Sequence, residues 1–388
     1  MSAPFGIYVH WPFCLSKCPY CDFNSHVADR VDQAAWRTAL LAELEQAAQT
    51  TPHRSVTSVF FGGGTPSLME PATVTALIER IAARWSLAAE AEITLEANPG
   101  TIDADRFAGF RAAGVNRLSI GVQSLDDNQL RFLGRAHDSA QAIAALALAR
   151  RLFPRLSFDM IYARPGQSCD DWRHELSRAL DLAADHLSLY QLTIEAGTAF
   201  QPMAARGDFI LPDNDEAAAL FDLTQEMTDA AGLAAYEISN HARPGAACRH
   251  NLLYWQGDDF LGIGPGAHSR LTGADGITRS TRRHRAPEVW RKKVLKSGNG
   301  TVEAVTLDQA ARVTELVMMG LRLTEGISAA RFHRQSGTAL TGALAADGLA
   351  DMLEGGFLRW QGEMLQATPR GRLLLNRVIL ALLPDQAA

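Results

Sequence analysis

The 388-residue sequence is poor in cysteine, in long apolar runs and in net positive charge, and each scarcity excludes something. Five cysteines, three clustered and Cys169 and Cys248 isolated, do not make the framework of a disulfide-stapled secreted domain and fit a reducing compartment. No uninterrupted apolar run approaches the roughly 18 to 20 residues of a membrane helix, so an integral membrane protein is not expected. The first residues lack a signal peptide's charged start and apolar segment, which makes the cytoplasm the expected location. A net charge of −6 argues against bulk nucleic-acid binding. What remains, 47% hydrophobic and 21% charged residues, is ordinary for a globular chain of two domains, or of one large barrel with an addition.

The organising stretch is Tyr8-Val-His-Trp-Pro-Phe-Cys14-Leu-Ser-Lys-Cys18-Pro-Tyr-Cys21-Asp-Phe23, which follows a short apolar run, Phe5 to His10, that reads as a strand. Three thiolates on one tight loop suit a four-iron cluster with one iron left without a protein ligand, open for chemistry. The alternative is a zinc loop completed by His10 or His26. Structural zinc usually draws its ligands from two spaced pairs, and this is one unequal run with no second pair.

Downstream, strand and helix signals alternate. Asp32 to Thr50 carries Trp36, Leu40 and Leu44 at helical spacing. The strand Val56 to Phe61 runs into Gly62-Gly63-Gly64-Thr65-Pro66, then a helix covers Pro71 to Trp85. Strands at 92–96, 117–121, 156–162 and 186–192 follow, with helices at 103–113, from about 126, and at 140–152, 172–183 and 213–231. Six βα units predict parallel strands with right-handed crossovers, two short of a closed eight-fold barrel. The cysteine loop, the glycine triplet, Glu96, Gln123 and Asp159 all fall near the C-terminal ends of successive strands, the face on which such folds build active sites. Each has a plainer reading. The glycines can simply make a tight turn, Glu96 can be a surface or capping carboxylate, and Gln123 and Arg135 a solvated pair. Arg135 can also meet a carboxylate. Asp159 within an apolar strand needs a partner.

Together these residues carry a resemblance. Cys14-x3-Cys18-x2-Cys21, followed in order by Gly-Gly-Gly-Thr-Pro, Glu96-Ala-Asn-Pro, Gly-Val-Gln123-Ser, Leu-Gly-Arg135 and Asp159-x-Ile-Tyr, resembles the radical S-adenosylmethionine family. The branch is that of oxygen-independent coproporphyrinogen III oxidase and its relatives. The resemblance covers nearly the whole chain. It implies a 4Fe-4S cluster on Cys14, Cys18 and Cys21, its open iron binding the amino and carboxylate groups of S-adenosylmethionine. Tyr8, Gly63, Glu96, Arg135 and Asp159 would contact that cofactor. Tyr20, Gly64, Thr65 and Gln123 match positions that hold a second one in the oxidase.

Within the branch, the oxidase carries a further cysteine two residues after the third, where this chain has Phe23. His250-Asn-Leu-Leu-Tyr254-Trp255 is similar to the His-Asn-x-x-Tyr-Trp motif of a heme chaperone subfamily. The resemblance therefore implies a heme-binding protein that passes heme to acceptor proteins, membrane-bound ones among them, with a homodimer as one option. The other reading is the oxidase itself, in porphyrin biosynthesis, so whether the chain is an enzyme stays open. His250 is either a heme ligand or a hydrogen-bonded core residue, Tyr254 and Trp255 either cover heme or fill the core, and Cys248 is a rival ligand. Ala163-Arg164 departs from the family's usual Gly-Leu, and an arginine there could alter the floor of the site.

Arg279 to Lys296 holds eight Lys or Arg against Glu288 alone, either a solvated surface or a site for an acidic partner or heme propionates. Composition shifts near Gly298-Asn299-Gly300. The expected organisation is thus a partial (β/α)6 barrel over 1–298, with a heme-associated extension from about 233, and a smaller domain over 299–388. That domain reads as helices, the first over 307–323, with a hairpin of 357–360 against 364–367, like a winged helix. Its 8 Lys plus Arg against 9 Asp plus Glu give no footprint for DNA, so it reads as a lid or docking domain.

Overall fold

The computed structural model describes residues 4–384. Six strands form where the alternation places them: β1 Phe5–Trp11, β2 Ser55–Gly63, β3 Ser86–Ala97, β4 Arg117–Gln123, β5 Arg155–Tyr162 and β6 His186–Gln191. They pair in parallel in chain order. The crossovers are helices α1 Gln33–Thr50, α2 Pro71–Arg84, α3 Ala104–Ala112, α4 Ser139–Leu152 and α5 Cys169–Leu182. Helices on the sheet leave its strands apolar on both faces, and every residue of β1 except Tyr8 is buried. The helix starts are written locally. Asp32 caps α1 by accepting from Ala35 N–H at 3.0 Å, and Asp138 with Gln141, like Ser168 with Asp171, closes a reciprocal capping box. Trp36, Leu40 and Leu44 are buried against the sheet as their spacing requires.

Helix α6, Asn214–Ala230, leads to two short strands that close one edge, β8 Asn240–Ala242 antiparallel to β6 and β7 Ala234–Ala235 antiparallel to β8. The other edge differs from a six-unit barrel. Helix α7, Arg249–Trp255, feeds a seventh parallel strand, β9 Asp259–Ile263, which lies beside β1 in the register Phe5↔Asp259 to Val9↔Ile263. No crossover helix follows β9. The chain instead turns back through β10 His268–Thr272, β11 Thr278–Arg283 and β12 Thr301–Thr306, all antiparallel. The whole sheet is open, in the order β12-β11-β10-β9-β1-β2-β3-β4-β5-β6-β8-β7. Five residues between glycine-rich turns give β9 too little periodicity to be read as a strand.

The composition shift at 298–300 is not a linker. Gly298, at φ 70°, ends helix α8, Pro287–Ser297. Gly300 lies so close to Trp290 that a Cβ would come within 2.3 Å of its ring, and its N–H donates to Glu43 at 2.9 Å. Glu43 is buried and fully occupied, pairing with Arg283 at 2.9 Å and accepting from Gly264 N–H at 2.8 Å and Trp290 Nε1 at 3.0 Å. The main sheet thus runs to Thr306. A separate core follows, formed by residues from Val313 to Leu382. It joins helices Gln309–Gly320, Ala329–Ser336, Ala346–Glu354 and Leu375–Leu382 to a three-stranded sheet, in which the expected hairpin pairs Leu358 with Ala367. Ion pairs Arg270–Glu315 (2.8 Å) and Arg331–Asp258 (3.0 Å) tie it to the sheet domain.

Candidate functional site

The loop after β1 is held at its base by a short parallel pairing of Phe13–Cys14 with His26–Val27. Cys14, Cys18 and Cys21 are half-buried free thiols that line one cavity of about 240 Å3. Tyr20, Gly63, Gly64, Thr65, Glu96, Gln123, Arg135 and Asp159 line the same cavity. Five strand ends therefore do converge, although Asp159 projects from within β5 rather than from its end.

Two donors address the sulfurs. Thr65 Oγ1 donates to Cys14 Sγ at 3.4 Å, and Arg135 donates to Cys18 Sγ at 3.4 Å while its other nitrogen donates to Gly121 O at 2.8 Å. Arg135 thus meets a thiol rather than a carboxylate. A cation and a hydroxyl beside sulfur suit the negative charge of a thiolate-bound cluster and tune its potential. Of the two histidines of the zinc alternative, His10 has both ring nitrogens occupied. His10 has Tyr8 Oη at 3.0 Å from Nδ1 and Asn24 O at 3.0 Å from Nε2, and burial pushes it down to about 4. His26 lies 3.3 Å from Asn24 Oδ1.

Two carboxyl groups face the cavity. Burial and the neighbouring Asp159 raise Glu96 to about 8, and Gly63 N–H donates to it at 3.2 Å. Burial raises Asp159 to about 6, against the help of Ser188 and Arg117, and Ser119 Oγ donates to it at 3.4 Å. Each carboxyl is thus raised toward its protonated form, and a cationic ligand in the cavity would shift both toward carboxylate. Gln123 enters the cavity from a left-handed backbone, φ 71°, a strained state for a non-glycine residue.

The glycine triplet has a purpose that the sequence did not disclose. A Cβ at Gly63 would sit 2.6 Å from the His10 ring, and one at Gly64 would sit 2.7 Å from Phe13 O. The missing side chains let β2 and its turn close onto β1, and the cavity is a consequence of that closeness. Arg164 does not form the floor of the site. It is buried, pairs with Glu175 and donates to Ser124 Oγ at 2.7 Å, so it braces the turn just after Gln123. Ala163 adopts φ 56°, a left-handed state that glycine takes without steric cost.

The expected heme trio does not share a face. His250 is 2% exposed. Its Nδ1 is 3.0 Å from Ser58 Oγ and its Nε2 2.8 Å from the Tyr254 hydroxyl, and its ring stacks on Phe60 at 5.0 Å. Both nitrogens are occupied, so as placed it is a hydrogen-bonded core histidine and not an exposed ligand. Trp255 turns to the groove before the C-terminal domain, beside Leu316 and Gly320. Only Tyr254 reaches a cavity near the cluster, one of about 610 Å3 that also borders Tyr8, Gly63 and Glu96. Cys248 is buried, and burial pushes its thiol up to about 12 while it donates to Glu92 at 3.5 Å, which removes it as a rival. Sequence reasoning missed Asn24, whose Nδ2 donates to Pro265 O at 2.9 Å and to Arg285 O at 3.0 Å. Its partners lie about 240 and 260 residues away, and no local signal marks such a contact.

A partial barrel with three cysteines on its first loop, donors to two of them and a carboxyl pair in the same cavity defines a scaffold for an iron–sulfur cluster and a cationic cofactor. The Radical SAM superfamily pattern matches residues 8–179 and the HemN C-terminal domain pattern residues 307–374. The chain is 41% identical to the mitochondrial radical S-adenosyl methionine domain-containing protein 1 of Bos taurus, over 97% of this chain and 87% of that protein. It is 38% identical to the heme chaperone HemW of Escherichia coli, over 97% of each. Coproporphyrinogen III oxidase (HemN) from E. coli superposes with a TM-score of 0.81 over 98% of this chain and 90% of that one, at 24% identity, a likeness of fold. The chain belongs to the radical SAM superfamily and, within it, to the family that holds HemW and its mitochondrial relatives. Membership implies a 4Fe-4S cluster and S-adenosylmethionine. Among the described residues no helix is long and apolar enough to cross a membrane.

Proposed function

We propose that the protein is a heme chaperone, binding heme and delivering it to acceptor proteins, on a radical SAM scaffold. The observation that carries this reading is the full-length likeness to HemW, joined by Phe23, which stands 62% exposed at the cluster loop where the oxidase has a further cysteine. Cys14, Cys18 and Cys21 would hold the cluster, which when bound supplies an electron to S-adenosylmethionine. Thr65 and Arg135 steady its sulfurs. Glu96 and Asp159 offer carboxylates to the sulfonium and ammonium charges, with Tyr8 behind Glu96, and Gly63 fixes Glu96 through its N–H. Tyr20, Gly64 and Gln123 complete the wall. His250 supports Tyr254 from the core. Residues 4–306 form the cofactor-binding body and 307–384 a docking domain for an acceptor. Five free thiols suit the cytoplasm.

The test is hemin titration of the anaerobically reconstituted chain beside a turnover assay with coproporphyrinogen III. Saturable hemin binding with no protoporphyrinogen formed is the expected result. Appreciable protoporphyrinogen would replace this reading with the oxidase.

A further inference from the structure

The larger cavity beside the cluster contains only Tyr254 of the expected heme residues, yet its lining carries further chemistry. Its volume, about 610 Å3, lies in the range of pockets that enclose a cofactor-sized ligand. One wall is aromatic, Tyr254 edge-on to Phe260 at 4.4 Å, with the exposed Phe23 at the rim. The opposite wall is basic. His268 and Arg282 are cross-strand partners on β10 and β11, and Arg285 follows on the turn that Asn24 clasps from the cluster loop. Five of the eight cations of the 279–296 stretch are engaged: Arg279 with Asp275, Arg283 with Glu43, Arg291 with Glu288, Lys293 with Thr301 O at 2.6 Å and, at the rim, Arg282 with Glu303 at 2.7 Å. The Arg285 side chain has no hydrogen-bond or ion-pair partner among the described residues, and neither does the His268 ring, which is exposed to the cavity. Burial and the charges of Arg270 and Arg282 lower the pKa of His268.

An aromatic wall, an unpartnered imidazole and arginines at the rim complement a flat, metal-bearing ring with carboxylate arms. We propose that this cavity is the heme site, with His268 rather than His250 meeting the iron and Arg285, with Arg282, meeting the propionates. The inference rests on the heme-chaperone reading and adds the place and the contacts. It also puts heme directly beside the cluster cavity, since Phe23, Gly63 and Glu96 border both.

The test titrates the reconstituted full-length chain with hemin and, separately, with metal-free protoporphyrin IX, following the Soret band, with iron content measured in each variant. His268→Ala should shift the Soret maximum and weaken hemin about tenfold while leaving protoporphyrin IX within about twofold, because only hemin has a metal to ligate. Arg285→Glu should weaken both ligands about tenfold or more, through loss of a charge-assisted contact and repulsion of the carboxylates. His250→Gln, which removes the support of Tyr254 but no iron ligand, should weaken both ligands alike and leave the Soret maximum of bound hemin in place. If the parent chain binds hemin and both His268→Ala and Arg285→Glu titrate like it, or if His250→Gln alone abolishes binding, the site is wrong and the chaperone reading survives. If the parent chain itself does not bind hemin, the chaperone reading fails.

Discussion

Glu96→Gln isolates the electrostatics of the cluster cavity. The folded carboxyl holds its proton up to about pH 8, whereas in an unfolded chain it ionises near 4.3. Between those values the unfolded state releases a proton that the folded state keeps. The stability linked to this group is therefore complete below about pH 4 and is lost as pH rises toward 8. At pH 7 the linkage loss is at most about 3.6 kcal/mol. Solvent in the cavity screens the carboxyl and brings the figure to on the order of 1 to 2 kcal/mol. Glutamine keeps the shape and still accepts from Gly63 N–H, but it cannot ionise. The reduced, cluster-free variant should therefore be more stable than the parent by about 1 to 2 kcal/mol near pH 7 and by almost nothing near pH 4.5, as read from urea unfolding at both values. The same change should weaken S-adenosylmethionine binding, since it removes a carboxylate from a site for a cation. A variant less stable than the parent at neutral pH, or equally stabilised at both pH values, would refute the reasoning.

Three further outcomes follow from the same geometry. Arg164→Leu leaves Glu175 buried without its cation and should cost about 3 to 5 kcal/mol in urea unfolding; Arg164→Leu with Glu175→Leu should recover much of that, and a single variant as stable as the parent would dismiss the ion pair. Ala163→Gly relieves a left-handed alanine and should raise stability by about 0.5 to 1 kcal/mol, whereas a lower melting temperature would show that the lost methyl packing outweighs the strain. Arg135→Leu removes the cation beside Cys18 and should leave iron content unchanged while lowering the midpoint potential of the reconstituted cluster in an anaerobic redox titration. An unaltered potential would place Arg135 outside the cluster's field.

The parts of the site that were legible in the sequence are those whose logic is local. A metal loop is a spacing, and Cys14, Cys18 and Cys21 line one cavity because they occupy one turn after a buried strand. Strand-end positions are also local, so Thr65, Glu96 and Gln123 meet wherever the parallel strands are set side by side. The case of His250 shows where this logic stops. A six-residue motif placed a histidine near an aromatic pair, yet Ser58, almost 200 residues earlier in the chain, takes one of its nitrogens. The helix then sends Tyr254 and Trp255 to different cavities, because consecutive helical residues point about 100° apart. Arg164 is similar: its unusual identity was visible in the sequence, but its partner in helix α5 was not.

By itself the sequence determined the three-cysteine loop, the six βα units, the helix caps and the hairpin of the C-terminal domain, since each depends on residues within about one helical turn or one strand of one another. The tertiary structure alone decided the seventh parallel strand, the true end of the sheet at Thr306, the use of the glycines as contact points for β1, and the pairing of an aromatic wall with Arg285 and His268. Those depend on which surfaces the crossovers bring together, and the free energy of burying a strand or pairing a charge is set by neighbours distant in the chain.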